Sequence, residues 1–404
     1  MEAQDARGRA DTIGRALHAV VAIVPALPRP VSGPLSGLSV AVKDMIDVTG
    51  FPRGNGNPIA MHGPAAAEDA PVVADLRRQG ADVVALAALL EYAAGAQHPE
   101  LPEARNPVDP SKTAGGSSGG SAALVGAGVV QVALGTDTGG SIRLPAHYCG
   151  VVGFKPTHGT LSVDGVTPLA PSLDHVGLLA VDVATTARVF EALTGQVSEA
   201  VSRPLRIGVL VDQLADPRLE SDVRLVVDAA IERLGAFGED DVVLVEVGAG
   251  ELDRLNGPIG ALILREAWQV HGTRITRSPD HFGAPTARLL HSAAEVTEAD
   301  YAAALAERDA LLPRALALLD DVDLLLGPAA PYAAPEVSPP IDTPDGEIEG
   351  IFSGPYNVTG QPALVLTCGQ TADGLPVGLQ LAATRGSDAL LLAGAEVVER
   401  LLGG

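Results

Sequence analysis

Gly115-Gly116-Ser117-Ser118-Gly119-Gly120-Ser121, the apolar run from Ala122 to Leu134, and Gly135-Thr136-Asp137-Thr138-Gly139-Gly140-Ser141-Ile142-Arg143 form one continuous stretch. Two glycine-rich loops thus flank one element of small apolar residues, and each loop ends near a serine. Glycine tolerates positive φ and close approach, and it leaves backbone N–H groups free to face a cleft. Such loops suit an anion or a developing oxyanion. Ser118 to Val130 reads as a tightly packed helix, with Ser118 as its cap. Gln131 to Leu134 reads as a strand feeding the second loop, and Ser141 opens a short helix through Tyr148.

Working outward, the chain holds only three lysines, Lys43, Lys112 and Lys155, among 27 basic residues. Lysine can lose its proton when desolvated and serve as a base, which arginine cannot. Lys43 ends the run Leu38-Ser39-Val40-Ala41-Val42. That run reads as a buried strand that delivers Lys43 to its C-terminal edge, where open α/β sheets place their sites.

The alternation of strand-like and helix-like segments continues along the chain and predicts an α/β fold. Further strands are expected at Ala81–Ala87, Val151–Lys155, Leu205–Val211, Asp241–Val247, Leu324–Leu326, Ala363–Thr367 and Gly374–Leu381. Helices are expected from about Asp69 to Arg77, over Asp222–Leu234, through most of Leu252–Leu319, and over Ser387–Leu402, closed by Gly403 and Gly404. Ala16 to Leu27 is expected to be an N-terminal helix, since no positive segment precedes it as in an export signal.

At 404 residues the chain can bury a large core of Ala, Val and Leu, and its net charge of −23 argues against nucleic acid or an anionic membrane as a partner. No apolar run is long enough to cross a bilayer. Cys149 and Cys368 give neither a disulfide framework nor a zinc site, and no other metal-ligand spacing or cofactor motif stands out. A cytoplasmic protein with no cofactor and no metal is expected.

Several chemistries compete for the glycine loops. The P-loop ending is absent, and Asp137-Thr138-Gly139 has no second copy to complete an aspartic protease pair. Asp137 is better read as a partner of Arg143. Gly115-Gly116-Ser117-Ser118-Gly119 satisfies the nucleophile-elbow pattern, but the preceding Asn106-Pro107-Val108-Asp109-Pro110 cannot be an interior strand. An elbow using His147, His158 or His175 therefore stays as a minor alternative.

The fourth reading uses Lys43 and both serine loops together, and here the sequence resembles the amidase signature family of serine hydrolases. The likeness is carried by Val42-Lys43-Asp44, the 115–121 and 135–146 stretches, and Cys149-Gly150-Val151-Val152-Gly153-Phe154-Lys155-Pro156-Thr157. Ser172-Leu173-Asp174-His175-Val176-Gly177, Gly360-Gln361-Pro362-Ala363 and Gly374-Leu375-Pro376-Val377-Gly378-Leu379-Gln380 extend it. It covers roughly residues 36 to 182 and 352 to 402. Departures are Thr160 in place of a common arginine, Leu178 in place of a common proline, and the absence of a Lys-Thr pair before Glu91.

The resemblance implies one amidase-signature domain over residues 1–404, a large mixed sheet covered by helices on both faces, with 200–350 as its variable substrate-selectivity part. It implies Ser141 as nucleophile, Ser117 as a bridging serine on a cis peptide, Lys43 as base, and an oxyanion hole from the N–H groups of Thr138, Gly139, Gly140 and Ser141. The implied activity is hydrolysis of a small-molecule carboxamide or related linear C–N bond through an acyl-enzyme, with water as co-substrate. Relatives in view include allophanate-type, carboxybiuret-type and indole-acetamide hydrolases and one component of an amidotransferase. An esterase and a catalytically silent scaffold are the remaining readings. Members of the family are often homodimers, yet no residue here marks an interface.

Overall fold

The computed structural model describes residues 3–27, 31–198, 201–236 and 241–403. Eleven strands form one mixed sheet: β1 (Val20–Ile23), β2 (Ser39–Lys43), β3 (Asp82–Ala87), β4 (Val132–Asp137), β5 (Val152–Lys155), β6 (His175–Ala180), β7 (Leu205–Leu210), β8 (Val242–Val247), β9 (Leu324–Pro328), β10 (Ala363–Gln370) and β11 (Pro376–Ala382). Their order across the sheet is β1-β3-β2-β4-β6-β5-β10-β11-β9-β7-β8. The β2 strand runs parallel to both β3 and β4, and β7 parallel to both β8 and β9, while the remaining pairs are antiparallel.

Side chains of β2 and β4 alternate between two buried faces. Val40, Val42, Val132 and Leu134 join the larger apolar cluster with Phe154 and Phe190. Ala41, Ala85, Ala87 and Ala133 join a second cluster with the helix Gly119–Gly126. Burial on both faces explains why these strands read as continuous apolar runs. The alanines let that helix sit close: a Cβ on Gly120 would come within 2.5 Å of the Ala88 backbone.

This topology gathers chemistry at one edge. Lys43, Ala87 and Asp137 end the parallel strands β2, β3 and β4, and the antiparallel register sets His175 opposite Asp137 and Ala363 opposite Lys155. The two glycine loops connect at the same edge.

At the N-terminus the structure departs from expectation. Ala16–Leu27 is not a helix: the Val20-Val21-Ala22-Ile23 segment pairs antiparallel with β3 and closes that side of the sheet. Its β-branched residues favour an extended chain once a partner strand is available. The β6 strand lies in the middle of the sheet, although its residues are not among the expected strands. Gly404 lies outside the described residues, whereas Gly403 takes φ +81° and caps the last helix by donating to Arg400. No described helix is long and apolar enough to cross a membrane.

Candidate active site

Lys43 is fully buried, and its Nζ has three hydroxyl neighbours: Ser117 Oγ at 2.8 Å, Ser118 Oγ at 2.9 Å and Thr136 Oγ1 at 2.7 Å. Burial lowers its pKa from 10.5 to about 7, against the opposing pull of the Asp137 and Asp174 charges. The Gly116–Ser117 peptide is cis. Ser118 stands at the start of the helix Gly119–Gly126 but makes no capping bond, unlike its expected role. Its hydroxyl donates to the Thr136 carbonyl at 3.1 Å while accepting from Lys43. Thr136 Oγ1 faces Met45 Sδ at 3.4 Å. Sequence reasoning misses both residues as neighbours of Lys43, because the cap rule accounts for Ser118 and Thr136 reads as part of the second glycine loop, whereas β4 runs on to Asp137.

The second loop lies against the first. Ser118 N–H donates to the Ser141 carbonyl at 3.1 Å, and Ser141 is half-buried where Ser117 and Ser118 are buried. The N–H groups of Thr138, Gly139 and Ser141 find no acceptor among the described residues. Gly140 departs from the expected oxyanion set, since its N–H donates to Asp137 Oδ1 at 2.8 Å. Gly140 has φ +134°, and a Cβ there would collide with Ser353 Oγ, so only glycine fits.

Asp137 and Arg143 hold this loop in shape. Both side chains are fully buried, with Arg143 Nη2 at 2.9 Å from Asp137 Oδ1 and Nε at 3.1 Å from Oδ2. Asp137 also accepts from Ile142 N–H at 3.1 Å and Asn357 Nδ2 at 2.8 Å. Arg143 donates further to the Ser353 carbonyl, Gln380 Oε1 and Asn357 Oδ1 at 2.8, 2.8 and 2.6 Å. Burial would raise the Asp137 pKa, but the Arg143 charge and its hydrogen bonds hold the carboxyl well below its usual range. Arg143→Ala should therefore cost about 3–5 kcal/mol in urea unfolding, because it strands a buried carboxylate. A loss under about 1 kcal/mol, the scale of an exposed pair, would contradict this account of the loop.

The remaining candidates are engaged in packing. Lys155 Nζ donates to the Gln361 carbonyl at 2.5 Å and contacts His175 Nε2 at 3.2 Å. His175 Nδ1 donates to the Leu173 carbonyl at 2.6 Å. His147 accepts from Gly378 N–H at Nδ1 and donates from Nε2 to the Tyr332 carbonyl. No histidine is bonded to Ser117, Ser118 or Ser141 among the described residues, and no strand leads into Gly115. Asp174 accepts from Thr138 Oγ1 at 2.6 Å and from the N–H groups of Leu169 and Ala170, and so fixes the loop beside Thr138. Asp44 binds the Gly54 and Asn55 N–H groups. No cluster of His, Cys, Asp and Glu suited to a metal ion occurs among the described residues.

The amidase family model matches residues 16–392, nearly the whole chain. The protein belongs to the amidase family. Among similar proteins of that family, an amidase of Pseudomonas putida is 35% identical over 369 residues, covering 85% of this chain and 77% of its own. A glutamyl-tRNA(Gln) amidotransferase subunit from Symbiobacterium thermophilum is 34% identical over 391 residues, covering 86% of this chain and 79% of its own. A crystal structure of an amidase superposes with a TM-score of 0.87 at 34% identity, covering 99% of this chain and 95% of that one. The mixed α/β architecture is the one these amidase-signature enzymes share.

Proposed function

We propose that this amidase-family member hydrolyses a small-molecule carboxamide or related linear C–N bond through an acyl-enzyme on Ser141. The observation that carries the reading is the buried Lys43 amine, near neutrality in its pKa, in contact with Ser117 beside the loop of Ser141. A neutral amine has two N–H donors and one lone pair, which matches three hydroxyl neighbours. Ser118 and Thr136 turn their protons toward the Thr136 carbonyl and Met45 Sδ, so they accept from Lys43. Ser117 is then the hydroxyl left to give its proton to the lone pair.

In the proposed step, Ser141 Oγ attacks the carbonyl carbon and passes its proton to Ser117 as Ser117 passes its own to Lys43. The tetrahedral oxyanion is met by the N–H groups of Thr138, Gly139 and Ser141. Collapse breaks the C–N bond, and the proton returns through Ser117 to the departing amine. Water then attacks the ester on Ser141 with the same relay, which releases the acid and restores the serine.

Intact-mass analysis after exposure to a serine-directed phosphonylating reagent tests this. A single adduct mapping to Ser141 is expected, and labelling at Ser117 or Ser118 instead would sink the assignment. A second reading, one component of an amidotransferase that passes ammonia onward, is favoured by the Symbiobacterium thermophilum relative. Ammonia release from simple amides by the isolated chain supports the amidase reading; release only after a partner is added supports the other.

A further inference from the structure

A cavity of about 620 Å³ opens between the loop around Asn55, Tyr92, the Thr167–Pro168 turn and the last turns of the long helix Asn256–Arg277. Its walls are tied to the proposed reaction site. Leu90 N–H donates to the Ser117 carbonyl at 3.2 Å, two residues before Tyr92, and Thr167 N–H donates to the Met45 carbonyl at 3.0 Å, two residues past Lys43. On the long helix, Ile263 lies 3.8 Å from where a Cβ on Gly139 would sit. Arg274 follows eleven residues later, about 16 Å farther along the axis at 1.5 Å per residue.

The cavity's charge runs against that of the chain. In a protein of net charge −23, its wall carries the guanidinium groups of Arg53 and Arg274 against the single carboxylate of Asp47, which Arg53 already pairs at 2.9 Å. Glu91, next to Tyr92, engages its carboxylate with Asn57 Nδ2 and Gly283 N–H. Arg274 has no carboxylate partner among the described residues; it donates to Tyr92 Oη at 3.2 Å and lies 5.7 Å from that ring's centroid. Tyr92 Oη is also hydrogen-bonded with His281 Nε2 at 2.7 Å, so the phenol orients the guanidinium and the imidazole together.

One turn before Arg274, on the same helix face, His271 is only 3% exposed and its Nε2 has no hydrogen-bond partner. Its other ring nitrogen is engaged by the Pro168 carbonyl, and burial, helped by the Arg274 charge, lowers its pKa to about 4. The ring is thus neutral with the proton on Nδ1, and Nε2 presents a lone pair. A buried acceptor left unmatched is costly unless a ligand supplies the donor.

We infer that this cavity recognises the far end of an anionic substrate, a linear amide whose terminal carboxylate pairs with Arg274 and whose adjacent N–H or O–H donates to His271 Nε2. The inference rests on the amidase reading of the neighbouring site. Guanidinium–carboxylate recognition supplies charge and fork geometry together, which a neutral ester cannot match.

The test compares ammonia release from succinamate, adipamate and suberamate with release from their methyl esters, using the unmodified enzyme, Arg274→Gln and Arg274→Lys. Calorimetry with suberate measures binding apart from turnover. For the acid that spans the site, kcat/KM should exceed that of its ester by about 10- to 100-fold, mostly through KM. The ratio should collapse in Arg274→Gln and partly return in Arg274→Lys. A hydroxyl beside the carboxylate should tighten binding, and His271→Phe should remove that gain. Acids and esters turned over alike, or a ratio that survives Arg274→Gln, would overturn the subsite and leave the amidase reading in place. Arg274-dependent suberate binding without hydrolysis of any amide would support the subsite and overturn the amidase reading alone.

Discussion

Ser141→Ala should lower kcat by about a million-fold, the scale seen when the nucleophile is removed from a serine hydrolase whose groups act as a unit. The fold should not suffer. The Ser141 carbonyl that accepts from Ser118 is backbone and survives the substitution, and Asp137 continues to hold Gly140 and Ile142 on either side. Unfolding free energy should therefore stay within about 0.5 kcal/mol of the parent, as for surface changes that remove no buried contact. The measurement pairs steady-state amide turnover with urea unfolding of the same preparation. Retained turnover would remove Ser141 from the chemistry, and lost turnover in an unstable protein would leave the nucleophile unproven.

Lys43→Met should lower kcat/KM by about 10²- to 10⁴-fold, the usual contribution of a positioned general base, while keeping most of the buried volume. The pH profile makes the claim sharper. Only the neutral amine accepts a proton, and burial brings the Lys43 pKa to about 7. In the unmodified enzyme kcat/KM should rise with pH, reach half its plateau near pH 7, and fall about tenfold for each unit below about pH 6. The rising limb should vanish in Lys43→Met. A flat profile from about pH 5 to about pH 9 in the unmodified enzyme would mean that another group takes the proton.

Much of this site is legible in the sequence because its parts announce themselves locally. Lys43 ends a run buried on both faces, so its strand reads as apolar without alternation, and a lysine there stands out. The glycine loops likewise carry their reason in their composition. What escapes is whatever depends on a partner far away in sequence. Ala16–Leu27 satisfies helix and strand patterns equally, and only β3 decides between them. Ser118 fits a cap rule, yet a buried amine across the loop is the stronger partner for its hydroxyl. Gly140 looks like its neighbours as an oxyanion donor, although the carboxylate of Asp137 reaches its N–H first. Arg274 and His271 belong to a stretch that reads only as helix, and the cavity they line forms when that helix is laid across the loop around Asn55.

The Arg143 guanidinium carries a consequence for synthesis on the ribosome. Its acceptors Ser353, Asn357 and Gln380 lie 210, 214 and 237 residues downstream, so the loop bearing Ser141 has no complete scaffold until residues 353–380 have emerged. A nascent chain can form β2 to β4 early, since those strands are close in sequence, yet Arg143 then has Asp137 alone of its side-chain partners and the loop is unset. The loop that carries the proposed nucleophile Ser141 is therefore set only when residues 353–380 arrive to complete the shell around Arg143.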